Sequence, residues 1–290
     1  MIFLLLSILS STTIYVVFKF YPKFQINTLH AIVINYFVAA TCGIILQSHK
    51  VNLVETLQFS WFPFALILGV LFISVFNLMG ITAQRSGLSV VSVASKMSVI
   101  IPIIFGIIYY NESLGVFKLI GIILALVAVY LVSIKSENGL KIKTSNLIFP
   151  LLVFLGSGII DTTVKYLEGE YVGEDDIPIF SATIYTMSAL IGVLILTFQY
   201  FQSRFKFELK NILGGMALGI PNFFSIYFLV LAFRNGIFES SGVFTINNVS
   251  VVMISTILGI LLFKEKILIK NWLGIALAIV GILLITLGKW

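Results

Sequence analysis

The sequence predicts an all-α integral membrane protein, with ten transmembrane helices as two inverted five-helix repeats. Three observations carry that prediction. First, 59% of the 290 residues are hydrophobic and 10% are charged, with a mean hydropathy of +1.11. One soluble core of this size cannot hide so much apolar side chain. Second, the apolar residues gather into ten runs of membrane-crossing length, at about 2–20, 28–46, 61–83, 88–110, 115–134, 146–166, 178–200, 211–232, 238–263 and 268–288. Third, the chain matches itself along most of its length.

Taken in order, the first run opens at Ile2 with neither the basic start nor the small-residue cleavage site of a secretory leader, so it reads as a span. The connections are short. Even the longer ones, 47–60, 135–145, 167–177 and 201–210, leave no room for a soluble domain. Glycine and proline inside the runs do not argue against helices, because neighbouring helices satisfy the freed backbone groups.

The self-match sets the organisation. Ile2-Phe3, Leu5-Leu6, Leu9, Ser11 and Lys19 recur without a gap as Ile148-Phe149, Leu151-Leu152, Leu155, Ser157 and Lys165. Ala83, Arg85 and Gly87 match Ala232, Arg234 and Gly236, and Phe105 to Ser133 returns as Leu258 to Thr286, with Gly106/Gly259, Glu112/Glu265, Gly121/Gly274 and Ala125/Ala278 aligned. Residues 1–134 form the first copy, 135–145 the linker and 146–290 the second. Five spans is an odd number, so the second copy enters the membrane upside down, the plan of many secondary transporters. Gly274, Gly281 and Gly288 form a small-residue seam suited to close helix packing, dimer contacts included.

Charge then orients the chain. The net charge of +6 comes without a basic cluster larger than a short loop carries, which reads as topology signal and argues against a nucleic-acid partner. Connections 1–2, 3–4, 5–6, 7–8 and 9–10 hold twelve Lys and Arg, from Lys19 to Lys270, against five on the other side: Lys50, Lys118, Lys165, Arg234 and Lys289. The richer side is cytoplasmic by the positive-inside rule, leaving both termini outside. Trp61, Trp272 and Trp290 fall near span ends, as interfacial anchors do. Cys42 is the lone cysteine, and His30 and His49 stand apart, so no disulfide, metal site or cofactor is expected.

Candidate chemistry starts from Leu88 to Glu112, a run that carries Lys96 and Pro102. At about 1.5 Å per residue, Lys96 lies roughly 12 Å below Leu88. A cation at such depth costs on the order of 2.5–3.5 kcal/mol on insertion scales, so it should face protein or water. Ser89, Ser92 and Lys96 share one helical stripe. Pro102 should interrupt the helix ladder and free the Ser98 carbonyl beside the lysine, and Pro221 should make a second break. Asp161 is the acidic residue well inside a run, expected to be partly buried and to act as coupling proton site or counter-charge to Lys96. The repeats fail to match at both ionisable positions. Asn77 with Ser74, Asn35, Asn222 with Ser225, and the stripe of Ser241, Thr245, Asn248 and Ser255 beside Asn247 complete a set that favours a polar cavity.

These blocks look familiar together. The AxRxG end of each third span, and FGIIYYNESLGVFKLIGIILALVAVYLV with its second copy LGILLFKEKILIKNWLGIALAIVGILL, resemble the EamA-like family of the drug/metabolite transporter superfamily over nearly the whole chain. The resemblance implies a bacterial inner-membrane carrier, commonly an exporter of amino acids, metabolites or drugs, with Asn77, Lys96, Asn222 and Asn248 lining a central cavity. Members are usually drawn with cytoplasmic termini; the charge count places them outside, and we follow the charges. The expected partners are a small-molecule solute and the lipid bilayer, with proton coupling through Lys96 or Asp161, in a monomer or homodimer. Two rivals were weighed: an intramembrane enzyme using a Ser92/Lys96 dyad, which lacks an accompanying oxyanion loop, and a non-transporting sensor or scaffold, which lacks a soluble domain to pass a signal on.

Overall fold

The computed structural model of the protein describes residues 2–46, 56–109, 115–133, 145–172, 177–202, 208–234 and 240–287. Their regular structure is helical: α1 Ile2–Phe20, α2 Thr28–Leu46, α3 Phe62–Arg85, α4 Leu88–Met97, α5 Ile100–Tyr109, α6 Val116–Ser133, α7 Ser145–Glu170, α8 Ile177–Phe201, α9 Leu209–Arg234, α10 Ser240–Phe263 and α11 Ile269–Leu287. Each apolar run of the sequence holds one helix except the fourth, which holds α4 and α5. Eight stretches, with Leu88–Tyr109 taken as one, are long and apolar enough to cross a membrane; Leu119–Val132 and Ile269–Leu284 are shorter apolar helices. The linker 135–144 and Trp290 lie outside the described residues.

The chain folds as two compact units, one of Met1–Lys19, Leu78–Ile159 and Phe224–Trp290, the other of Phe20–Asn77 and Ile160–Phe223. Each draws segments from both sequence repeats.

In the first unit, α11 lies along α6, and α4 packs against α6, α10 and α11. The glycine seam makes the α6 contact close. A β-carbon on Gly274 would stand 2.9 Å from Leu131 Cβ, and one on Gly281 would stand 3.1 Å from the Gly121 carbonyl oxygen. Gly274 and Gly281 are therefore used within the chain, and are not available as dimer contacts. Asn271 fixes the register of the pair: its amide donates to the carbonyls of Leu131 at 2.9 Å and Val132 at 3.1 Å, and its oxygen accepts the Leu268 N–H. Two carbonyls at the end of α6 that lack helical partners are satisfied this way. Val93, Met97, Ile100, Ile122, Ala125 and Val252 fill the core between these helices.

In the second unit α2 packs on α8, and Gly215 and Gly219 of α9 meet α2 so closely that a β-carbon on either would fall 2.7 Å from a carbonyl oxygen, of Ala31 and Asn35 respectively. Trp61 does not serve as an interfacial anchor. It is fully buried, stacked on Phe59 at 4.9 Å and edge-on to Phe180 at 5.2 Å. Trp272 is exposed, as an anchor should be.

Two helix breaks differ from the sequence expectation. The fourth run stops at Met97 and restarts at Ile100, two residues before Pro102, which becomes part of the first turn of α5. Proline disfavours helix in the turn that precedes it and suits the first turn of a new helix. The Ser98 carbonyl is not left free, since the Ile101 N–H donates to it at 2.9 Å. Pro221 makes no comparable interruption, and α9 runs through it from Leu209 to Arg234.

Candidate functional site

The break between α4 and α5 changes the electrostatics of Lys96. It puts the lysine in the last turn of a ten-residue helix, half-buried. A helix C-terminus carries roughly half a negative charge on its unsatisfied carbonyls, which favours a cation by ~0.3–1 kcal/mol, more where water is scarce. An unbroken span would have placed the same lysine mid-helix without that field. Ser92, one turn earlier, is fully buried, and its hydroxyl donates to the Ser89 carbonyl at 3.0 Å. The Ser89, Ser92, Lys96 stripe therefore exists, with the hydroxyl committed to its own helix.

Asn248 lies on α10, the helix against which α4 packs, and is buried at 8% exposure. Its neighbour Asn247 is the better tied. Its Oδ1 lies 3.3 Å from the Ser7 hydroxyl, which donates to the Ser225 carbonyl at 2.7 Å. Ser255 is buried and returns its hydroxyl to the Val251 carbonyl. The side chains of Thr245 and Ser241 lie outside the described residues. Ser92 and Lys96 on α4, and Asn247 and Asn248 on α10, thus belong to two packed helices of the first unit.

The remaining candidates belong to the second unit. Asn222 is buried and donates to Asn35 Oδ1 at 3.2 Å, while Asn35 itself is fully buried with Nδ2 unpartnered among the described residues. Asn77 is half-buried, and Ser74 is exposed with its hydroxyl on the Val70 carbonyl at 2.7 Å. Asp161 is exposed on α7, contrary to the expected partial burial, and falls in a different unit from Lys96. The position four to five residues from the end of the sixth run misled: α7 continues to Glu170, and depth along a span says nothing about the face a residue occupies.

Sequence reasoning passed over two polar groups. At one end of the second unit a cavity of about 460 Å³ is lined by Gln25, Ile26, Asn27, His30, Glu208, Lys210 and Asn211. His30 lies 3.2 Å from Gln199 Oε1 through Nε2 and 3.5 Å from Asn211 Nδ2 through Nδ1, and Asn211 Oδ1 accepts the Asn27 N–H at 2.8 Å. A neutral ring protonated on Nε2 satisfies both contacts. The other group centres on Glu265, which pairs with Lys19 at 3.0 Å and accepts the Leu88 N–H at the start of α4. The repeat match of Glu112 with Glu265 marked that residue without indicating its partners.

Comparison with known proteins bears on this arrangement. The model of the EamA-like transporter family matches residues 1–134 and again 145–287. An uncharacterized protein of Haemophilus influenzae is 29% identical over 284 residues, covering 96% of this chain and 95% of its own. A solved crystal structure superposes with a TM-score of 0.56 at 16% identity, over 97% of this chain and 96% of that one, a likeness of fold.

Proposed function

The chain belongs to the EamA-like transporter family, and from that premise we propose that it carries a small organic solute, an amino acid, metabolite or drug, outward across the bacterial inner membrane. Movement is by alternating access, with the two repeats inverted and the solute met near mid-depth. The observation that carries this reading is Lys96: a cation held at the end of a broken span, inside an apolar stretch, on a helix packed against the one bearing Asn247 and Asn248. A cation at that place, on a stripe shared with Ser89 and Ser92, is suited to meet an anionic group on the solute. Ser92 and Asn248, on the two packed helices, join it in the solute site. Asp161, being exposed, serves as a proton-exchanging carboxylate in the coupling step.

The carrier reading is favoured over the rival dyad chemistry because the Ser92 hydroxyl donates to the Ser89 carbonyl at 3.0 Å. Vesicles holding the purified protein, offered pools of amino acids and metabolites with and without a pH gradient, test the carrier reading. Metabolite profiling of a deletion strain against an overexpressor supplies the solute. Lys96→Ala is expected to abolish its movement; transport at the wild-type rate would remove the lysine from the mechanism. A cytoplasm-active reporter fused after Trp290 tests the orientation, and is expected to be silent.

A further inference from the structure

Glu265 joins three parts of the first unit that are distant in sequence. Its Oε1 lies 3.0 Å from Lys19 Nζ in the last turn of α1. Both carboxylate oxygens lie 3.1 Å from the Leu88 N–H, the first amide of α4. Its own N–H reaches back to the Gly259 carbonyl at 3.0 Å, across a turn in which Lys264 takes a left-handed conformation at φ 51°. The space is cut to fit a carboxylate. A β-carbon on Gly87 would fall 2.7 Å from Oε2, and one on Gly259 would fall 2.6 Å from it. Gly87 also holds φ 111°, a conformation glycine adopts without penalty.

We propose that Glu265 is the positioning residue for α4, and that its release from Lys19 and Leu88 frees the start of that helix during the transport cycle. The proposal rests on the carrier reading only for its second part. One carboxylate does two jobs here, neutralising Lys19 and meeting the positive end of the α4 dipole. Lysine has donors and no acceptor, so it can replace glutamate in the first job and never in the second. The side chains are 18% and 13% exposed for Lys19 and Glu265, enough water to let the pair part and re-form. Because α4 is a short rod, whatever holds Leu88 also sets where Ser92 and Lys96 stand.

The test reads the opening of this end independently of transport. Cys42→Ser removes the native thiol and Ser89→Cys places a small reporter at a buried position one residue past the anchored amide. Labelling by a membrane-impermeant maleimide is timed in sealed vesicles without solute, from the face bearing Lys19. Glu265→Gln is expected to speed labelling about tenfold or more, the scale of losing one charge-assisted hydrogen bond. Lys19→Gln, which leaves the cap in place, should speed it less. The exchange Lys19→Glu with Glu265→Lys restores the ion pair but sets an ammonium against the α4 N-terminus, and should label at least as fast as Glu265→Gln. Unchanged labelling in Glu265→Gln, or wild-type labelling in the exchanged pair, overturns the proposal. Should Glu265→Gln fail to yield a monodisperse protein, Lys19→Gln and Glu265→Asp carry the same comparison. Fast labelling with no solute moved by the wild type sinks the carrier reading alone, and slow labelling beside intact transport sinks the positioning role alone.

Discussion

Replacing Asn222 by leucine is expected to destabilise the protein, and replacing Asn35 by leucine in the same chain is expected to undo most of that loss. The reason lies in an unequal pair. Asn222 donates to Asn35 Oδ1 at 3.2 Å, while Asn35, at 0% exposure, leaves Nδ2 without a partner among the described residues. An interhelical hydrogen bond inside a membrane protein contributes ~0.6 kcal/mol on average. A buried polar group stripped of its partners costs ~1–3 kcal/mol. Removing Asn222 strands the whole Asn35 amide, so the larger figure applies. Removing Asn35 as well takes away the stranded group, and leucine sets two methyls where the amide oxygen and nitrogen stood. At about 2 °C per kcal/mol for a chain of this length, Asn222→Leu should melt roughly 2–6 °C below wild type and the double variant should recover. Thermal unfolding in detergent, followed by intrinsic tryptophan fluorescence, to which buried Trp61 contributes, gives all four melting points. A double variant that melts below Asn222→Leu would falsify the unequal-pair argument and make the contact an ordinary structural bond.

Other substitutions follow from the same geometry. Gly281→Leu drives a side chain into the Gly121 carbonyl and the α6 backbone, and overpacking of this kind costs ~1–3 kcal/mol; yield and melting temperature in detergent should both fall. Asn271→Asp should be as damaging as Asn271→Ala, near ~2 kcal/mol, because aspartate keeps the contact to the Leu268 N–H but cannot donate to the carbonyls of Leu131 and Val132; equal melting of wild type and Asn271→Asp would contradict this. Lys96→Met should abolish solute flux while the protein still folds, as read by its melting temperature in detergent; loss of flux accompanied by loss of fold would make Lys96 structural.

The helix positions were legible because bilayer thickness imposes a length, and hydropathy reports that length directly. Helix faces were not. Asp161 sat at a readable depth yet turned out exposed, and Trp61 sat at a span end yet turned inward onto Phe59 and Phe180. Proline was an equally partial signal: Pro150 and Pro221 ride within continuous helices, whereas the run holding Pro102 parts at Ser98 and Val99. What separates these cases is how neighbouring groups take up the backbone, as the Ile101 N–H does for Ser98. Lys96 was visible as an anomaly from composition alone, but its place in the last turn of a helix required knowing where the ladder stops. Glu265 was marked by repetition, and its contact with Leu88, 177 residues away in sequence, is a product of tertiary packing.

Cutting one span into α4 and α5 has a mechanical consequence. Each piece is ten residues long, a stub of about 15 Å. An intact rod would carry a tilt applied at Leu88 straight through to Tyr109; here the backbone bonds from the Ile101 N–H to Ser98 and from the Ile103 N–H to Val99 are what tie one stub to the next. Whatever is done to Leu88 must pass Ser98 and Val99, just past Lys96 in the chain, before it reaches Pro102.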